Sequence, residues 1–356
     1  MNQLKAAVIG GGHLGRIHTR LLKHNAQIEL VAVADTVDSA RETLQQEFHV
    51  ETTDDYRNLF GKIEAAVIAT PTASHYKIAA DLLTRGIHTL IEKPVTNTTP
   101  QADHLIQLAD RNGAVLQVGH VERFNPAFQK ACHALPHPRY LEAKRMSGYT
   151  MRSTDVGVVM DLMIHDIDLL VSLVNSPLVD TRAVGVSVFG PHEDIAQARL
   201  EFSDGTVANL TASRCSFQPL RTISWFNERG YVAADLSSGE VRQVCLSDMV
   251  DTSDKRDIHR LDPSMHETIK SALFDCVLPK TCETVDPQNA IECEHRDFAN
   301  AILGNRIPTV TGRHVRRAVS IAQSIIEAID QHRWQDGNYQ RAGAQAQKIS
   351  LLPLAG

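Results

Sequence analysis

At 356 residues the chain exceeds what one hydrophobic core usually organises, so two domains are expected. Its 36 Lys and Arg against 42 Asp and Glu give a net charge of -6 with no basic block, which argues against a nucleic-acid partner. Six scattered cysteines without a CxxC pair argue against a disulfide framework or a zinc site, so the expectation is reduced, buried thiols in a cytoplasmic protein, with no metal.

Met1 leads directly into an apolar strand without the basic and apolar regions of a signal peptide. The most apolar stretch, 158–174, contains Asp161, His165, Asp166 and Asp168, which would be costly in lipid, so no membrane span is expected. Nearly continuous apolar strands are predicted at 6–10, 30–35, 65–69, 88–92 and 115–119, with helices starting near His13, Asp38, Thr72 and Thr99. That alternation predicts a parallel sheet with covering helices.

After Arg123 the pattern changes. A strand near 140–145, a loop and a long helix over 158–173 precede strands joined by hairpins, which predict a large, mostly antiparallel sheet. Ala196, Ala198, Leu200 and Phe202 alternate with Gln197, Arg199 and Glu201, and turns follow at Asp204-Gly205, Arg229-Gly230 and Ser238-Gly239. Two amphipathic helices, one through Ile291, Phe298 and Ile302 and one through Val315 to Ile329, are expected to join the 158–173 helix in covering one face of this sheet. The other face stays open, which predicts a homodimer or homotetramer. A polar tail, 335–356, closes the chain.

Gly10-Gly11-Gly12-His13-Leu14-Gly15 fits GxGxxG between the first strand and the first helix. Gly10 permits the tight turn, Gly12 lets backbone approach a diphosphate, and Gly15 lets helix and strand pack closely. Asp35 lies 20 residues beyond Gly15, where its carboxylate would accept hydrogen bonds from a ribose. A ribose 2'-phosphate would be repelled there and no arginine follows immediately, which favours NAD over NADP. Thr70 and Pro71, with Thr72 capping the next helix, follow a strand on the ligand-binding edge, and His75 joins them in the expected cofactor set.

Glu92-Lys93-Pro94 ends a buried strand on the same edge, and its lysine is placed to stabilise an emerging alkoxide. Gly157, Asp161 and His165 follow GxxxDxxxH. On a helix Asp161 and His165 share a face that Asp168 extends, and a polar stripe of this kind is expected to face a wet cleft. A histidine there can exchange the hydroxyl proton. Asp161 would bond either His165 or a substrate hydroxyl.

Together these motifs resemble the Gfo/Idh/MocA family of oxidoreductases over nearly the whole chain. The resemblance implies an α/β protein with an N-terminal Rossmann dinucleotide-binding domain (1–122), then an α+β substrate-binding and oligomerisation domain with a large, mostly antiparallel open sheet (123–334). It further implies NAD(P)-dependent chemistry on a sugar or cyclitol hydroxyl, Lys93 and His165 as catalytic positions, and a Lys93-Pro94 peptide that is often cis. Gly119-His120-Val121-Glu122-Arg123-Phe124-Asn125-Pro126 and Asp161-Leu162-Met163-Ile164-His165-Asp166-Ile167-Asp168 resemble the bacterial branch acting on the 3-hydroxyl of UDP-N-acetylglucosamine or its uronic acid. The implied substrate is therefore a UDP-sugar, with Arg123 and Asn125 among its contacts and Tyr149 and Arg152 as weaker candidates. Met163 stands where many relatives carry glycine, and only Gly157 remains of the glycine run before Asp161. Two alternatives stay open: a dehydrogenase or reductase of the family acting on inositol or another free substrate, and a noncatalytic NAD(P)-binding regulator.

Overall fold

The computed structural model describes residues 3–96, 98–150, 156–189, 191–247 and 262–332. The expected tail at 335–356 and Arg152 lie outside these residues.

The first part of the chain alternates β1 (Leu4–Ile9), α1 (His13–Lys23), β2 (Ile28–Ala34), α2 (Asp38–Phe48), β3 (Thr52–Thr53), β4 (Ala65–Ile68), α3 (Thr72–Leu83), β5 (His88–Glu92), α4 (Thr99–Asn112) and β6 (Leu116–Gly119). The six strands form a parallel sheet in the order β3-β2-β1-β4-β5-β6. Ala7, Val8, Ala66, Val67, Leu90 and Ile91 are at most 1% exposed, because both faces of the sheet are covered. The chain direction of the connections reverses between β1 and β4, and Gly10 and Thr70 follow those two strands. Open parallel sheets bind their ligands at this kind of point.

A 3-10 turn (Val121–Phe124) leads to α5 (Pro126–Ala134) and β7 (Tyr140–Met146). A π-helical turn (Val159–Met163) runs directly into α6 (Ile164–Leu173). The chain continues through β8 (Leu178–Val186), β9 (Ile195–Phe202), β10 (Val207–Ser213), β11 (Leu220–Asn227), β12 (Gly230–Asp235), β13 (Glu240–Cys245), α7 (His266–Ala272), β14 (Lys280–Thr284), α8 (Ala290–Leu303) and α9 (Gly312–Gln331). Eight of these strands make one sheet, β14-β13-β12-β11-β7-β10-β9-β8, in which β7 and β10 pair parallel and the remaining pairs are antiparallel. The alternation expected on β9 is present: Ala196, Ala198, Leu200 and Phe202 are at most 2% exposed. Trp225 on β11 is buried and donates its indole N–H to Leu135 O at 2.6 Å.

The described residues form two compact units, one of the residues up to Gln129 with Asp286–Ser320 and the other of those in Lys130–Val285 with the residues from Ile321 to His332. The sequence pattern expects a second domain running unbroken over 123–334, whereas residues 286–320 return to the first unit. There Phe298, Ala299 and Ile302 of α8 pack with Leu4, Ala6, Val8, Leu22 and Leu90, so α8 covers the parallel sheet and not the antiparallel one. Periodicity identifies the apolar face of a helix, but not which sheet that face covers.

Other differences have local causes. Strands β3 and β14 give no alternation to read: β3 has two residues, and all five residues of β14 are exposed. Thr72 is the first residue of α3 and not its cap, since Pro71 occupies the cap position without a side-chain bond. The 158–173 helix opens as the π turn, and Asp168 is 0% exposed, so the expected wet stripe does not include it. None of the six cysteines is disulfide-bonded or buried, with Cys276 and Cys282 exposed. Among the described residues, no helix is long and apolar enough to cross a membrane, and no three His, Cys, Asp or Glu side chains are grouped to hold a metal.

Candidate active site

The glycine turn joins β1 to α1 through contacts that leave no room for side chains. Gly10 has φ +105°, and a Cβ there would lie 2.5 Å from Ala69 O, while a Cβ on Gly15 would lie 1.8 Å from Gly10 O. Gly12 differs, since a Cβ there would meet nothing within 4 Å. It occupies the cap position of α1 with no side-chain cap, and Gly12, His13 and Leu14 are exposed. A helix start whose amides have no side-chain partner, beside a glycine with open space over it, suits a diphosphate.

Asp35 closes the other side of this turn. Its Oδ2 accepts from Gly11 N at 2.6 Å and its Oδ1 from Val37 N at 2.8 Å. The carboxylate keeps lone pairs for a ribose diol. Arg41, the nearest arginine on α2, donates to Asp35 O at 2.7 Å and pairs with Asp38, so its guanidinium is already engaged. The donor set thus fits NAD. We predict that Gly12→Val leaves thermal unfolding of the protein unchanged but weakens NAD binding by on the order of tenfold or more, because the added methyl groups fill the open space. Titration calorimetry and a melting curve on the same sample would check both halves; equal affinity would remove Gly12 from the cofactor site.

The loops after β4 and β5 are tied together by His75, which is 1% exposed. Its Nε2 stands 2.7 Å from Thr70 O and its Nδ1 2.9 Å from Pro94 O. Both ring nitrogens therefore face backbone carbonyls, and the role this leaves His75 is to position the loops that carry Thr70, Pro71 and Lys93. The Lys93-Pro94 peptide is cis. Glu92 is 6% exposed, with its Oε2 accepting from Lys93 N at 3.2 Å and its Oε1 2.8 Å from His18 Nε2. Gly119 makes room for this carboxylate, since a Cβ there would lie 2.9 Å from Glu92 Oε2.

Behind Glu92, sequence reading missed three residues: His18 on α1 and Glu294 and His295 on α8, all 0% exposed. No local spacing could have found them, because contact between α1 and α8 depends on the late return of the chain. Burial, then the charges of Glu92 and Asp297, hold the Glu294 carboxyl well above the ordinary range, while burial and the neighbouring His18 hold His295 well below its own. An acid whose pKa is raised on folding contributes stability below its unfolded pKa and loses it as pH rises toward the folded value. The stability of the wild-type chain relative to Glu294→Gln should therefore fall by up to about 1.4 kcal/mol per pH unit above roughly pH 4.5. Urea melts across that range would show it; a constant difference between the two proteins would contradict it.

In the second unit, Asp161 lies in the π turn and His165 in the first turn of α6, both half-buried. Glu193 fixes the start of this helix: its backbone O accepts from Val158 N at 2.9 Å and its Oε1 from Val159 N at 3.1 Å. Gly157 is the glycine this requires, because a Cβ there would lie 2.0 Å from Glu193 Oε1. The neighbouring Asp194 is buried, accepting from Arg214 Nε at 2.6 Å and from the amides of Val188 and Phe189 at 2.7 and 2.6 Å. Arg214 also lies over the Tyr149 ring, 5.4 Å from its centroid. Asp166, next to His165, is held by buried Arg145 through bonds of 2.8 to 3.1 Å to both carboxylate oxygens. Apolar periodicity marks this segment as helix but says nothing of these anchors.

Of the expected substrate contacts, Arg123 is 6% exposed in the 3-10 turn of the first unit. Asn125 serves the helix that follows, its Oδ1 accepting from Ala127 N at 3.0 Å and its amide donating to Glu122 Oε2 at 3.4 Å.

Residues 4–120 match the family described as "Oxidoreductase family, NAD-binding Rossmann fold", and residues 129–232 match the "GFO/IDH/MocA C-terminal domain". The chain is 34% identical to a UDP-N-acetylglucosamine 3-dehydrogenase of Acidithiobacillus ferrooxidans, over 93% of this chain and 98% of that protein. It is 26% identical to a scyllo-inositol 2-dehydrogenase (NAD+) of Bacillus subtilis, over 60% of this chain and 68% of that one. A solved structure of the Acidithiobacillus ferrooxidans enzyme superposes with a TM-score of 0.80 at 32% identity, covering 92% of this chain and 98% of that chain. GenD2 from gentamicin A biosynthesis, solved in complex with NAD, shares the fold with a TM-score of 0.73 at 22% identity, covering 94% and 96% of the two chains.

Proposed function

The chain belongs to the Gfo/Idh/MocA family of oxidoreductases with an NAD-binding Rossmann domain, and from that membership we propose that it oxidises the 3-hydroxyl of UDP-N-acetylglucosamine, or of its uronic acid, to the ketone. The observation that carries this reading is the likeness, along nearly both full lengths, to a relative that bears that activity in its name. The glycine turn with its open Gly12, and Asp35 beside it, supports the cofactor half of the reaction.

When bound, NAD+ supplies the acceptor for the hydride that leaves the carbon, so a secondary alcohol and NAD+ give a ketone, NADH and a proton. The chain supplies the rest. Gly10, Gly12, His13, Leu14, Gly15 and Asp35 would hold the dinucleotide, with Thr70, Pro71, Glu92 and Lys93 toward its reactive end and His75 positioning the loops that carry them. The Lys93 ammonium stabilises the oxygen as it gains charge, and the His165 imidazole takes the hydroxyl proton. Asp161 bonds His165 or a substrate hydroxyl, and Arg123 and Asn125 join the substrate contacts. Orienting donor carbon and acceptor ring supplies much of the acceleration.

The direct test is purified protein with NAD+ and a panel of UDP-N-acetylglucosamine, its uronic acid, inositols and free sugars, followed at the reduced-cofactor absorbance. Turnover with the UDP-sugars above all others is expected. Turnover with an inositol or free sugar alone would replace the substrate assignment, and NAD binding without turnover on any of them would favour a regulatory protein.

The reading extends to a homo-oligomer in the cytoplasm. Tyr140, Phe226 and Tyr231 form an aromatic ladder on the sheet face opposite Trp225, with ring centroids 5.9 and 4.6 Å apart and Phe226 40% exposed. A half-open aromatic face of this kind suits a symmetric interface. Light scattering at micromolar concentration should give a dimer or tetramer, and a monomer would contradict it.

A further inference from the structure

The buried cluster behind Glu92 has a sense of direction that the proposed proton chemistry does not use. Glu92 Oε1 is 2.8 Å from His18 Nε2, and His18 Nδ1 is 2.7 Å from His295 Nε2. A neutral imidazole has one donor and one acceptor nitrogen. The chain closes if His295 Nε2–H donates to His18 Nδ1 and His18 Nε2–H donates to an ionised Glu92. Run in the opposite sense, it would require a protonated Glu92 or a cationic His18, and in either case a proton on His295 Nδ1. That nitrogen is buried with no hydrogen-bond partner, and an orphaned N–H there would be costly. The first arrangement is therefore favoured, with the negative charge on Glu92.

Glu294 of α8 is near enough to Glu92 for the two carboxyl groups to repel each other. Both oxygens of Glu294 are buried without a hydrogen-bond partner, and burial, then the charges of Glu92 and Asp297, hold its carboxyl well above the ordinary range, which disfavours a second charge there. Asp297 is already satisfied by Arg306 at 2.9 Å and by the amide and hydroxyl of Thr309 at 2.8 and 3.0 Å. Glu122 and Arg123 are the charged residues of the 3-10 turn packed on α8, and Gln117 of β6 donates to Glu294 O at 3.2 Å. Glu92 is the last residue of β5, and its second oxygen holds the backbone N–H of Lys93.

We propose that His18 and His295 are positioning residues acting through Glu92: the two imidazoles hold one carboxylate charge at the end of β5, and that charge favours the cationic oxidised nicotinamide over the neutral reduced one. The proposal rests on the cofactor half of the reading above and not on the sugar.

The experiment is the ratio of NAD+ to NADH dissociation constants for the full chain, by fluorescence titration between about pH 6 and pH 8. Glu92→Gln should lower the preference for NAD+ by about tenfold. His18→Leu and His295→Leu should shift the ratio the same way by less, and His295→Gln, whose amide can still donate to His18, should restore it. An unchanged ratio in folded Glu92→Gln would overturn the proposal. Should that variant not fold, nitrogen NMR of the wild-type histidines decides: protons on Nε2 of both His18 and His295 across the range support it, and a cationic His295 or a proton on His18 Nδ1 overturns it. Sugar oxidation by the wild-type protein together with a ratio in Glu92→Gln equal to the wild-type ratio would sink this proposal alone, whereas a ratio that moves as stated in a protein that oxidises no sugar would sink the substrate reading alone.

Discussion

Lys93→Ala should lower kcat/KM for UDP-N-acetylglucosamine oxidation by on the order of a thousandfold, and His165→Ala by about a hundredfold to ten-thousandfold, with NAD affinity changed far less in both. The two losses have different origins. In the proposed roles, removing the ammonium would take away a fixed charge at the oxygen that becomes a carbonyl, an interaction stronger in the transition state than in the ground state, so kcat should fall and KM move little. Removing the imidazole would take away the proposed proton acceptor, and the residual rate should rise with pH as hydroxide in solvent replaces it. Steady-state kinetics across pH on both variants would check this, and near-normal turnover in either would remove its assigned role.

The second large effect concerns the helix that carries His165. Arg145 and Asp166 are 4% and 2% exposed and bonded through both carboxylate oxygens. Asp166→Ala leaves a buried guanidinium without its carboxylate and should cost about 3–5 kcal/mol. Replacing both, as Arg145→Met with Asp166→Leu, should recover most of that loss, since well-packed apolar residues often match a buried ion pair. Urea unfolding followed by tryptophan fluorescence, to which Trp225 in the core of the second unit contributes, would check the order. Equal destabilisation in the single and double variants would show that packing volume and not charge pairing governs this site. Because His165 adjoins Asp166, the single variant should also lose activity in the fraction that stays folded.

The features legible in the sequence are those whose physics is local. The glycine turn, Asp35 and Glu92-Lys93-Pro94 are fixed by spacing along one strand-turn-helix unit, and the structure places them at the carboxyl ends of β1, β2 and β5. The alternation on β9 likewise reads directly as one buried face. Long-range pairings were not legible. His18 and His295 are 277 residues apart, and nothing near either marks it as half of a hydrogen-bonded pair. For the same reason α8 was expected on the antiparallel sheet. Asp168 shows a different limit: its spacing from Asp161 and His165 places it on a helical stripe, but only the packing of α6 makes that position fully buried.

The proposed reaction breaks one carbon–hydrogen bond, and isotopic labelling reports on it most directly. UDP-N-acetylglucosamine carrying deuterium at C3 is incubated with NAD+ and the wild-type protein, and the reduced cofactor is weighed by mass spectrometry. One deuterium atom in the cofactor together with a 3-keto sugar nucleotide is the predicted result. Unlabelled reduced cofactor, or a sugar returned with its deuterium intact and no reduction, would contradict the account.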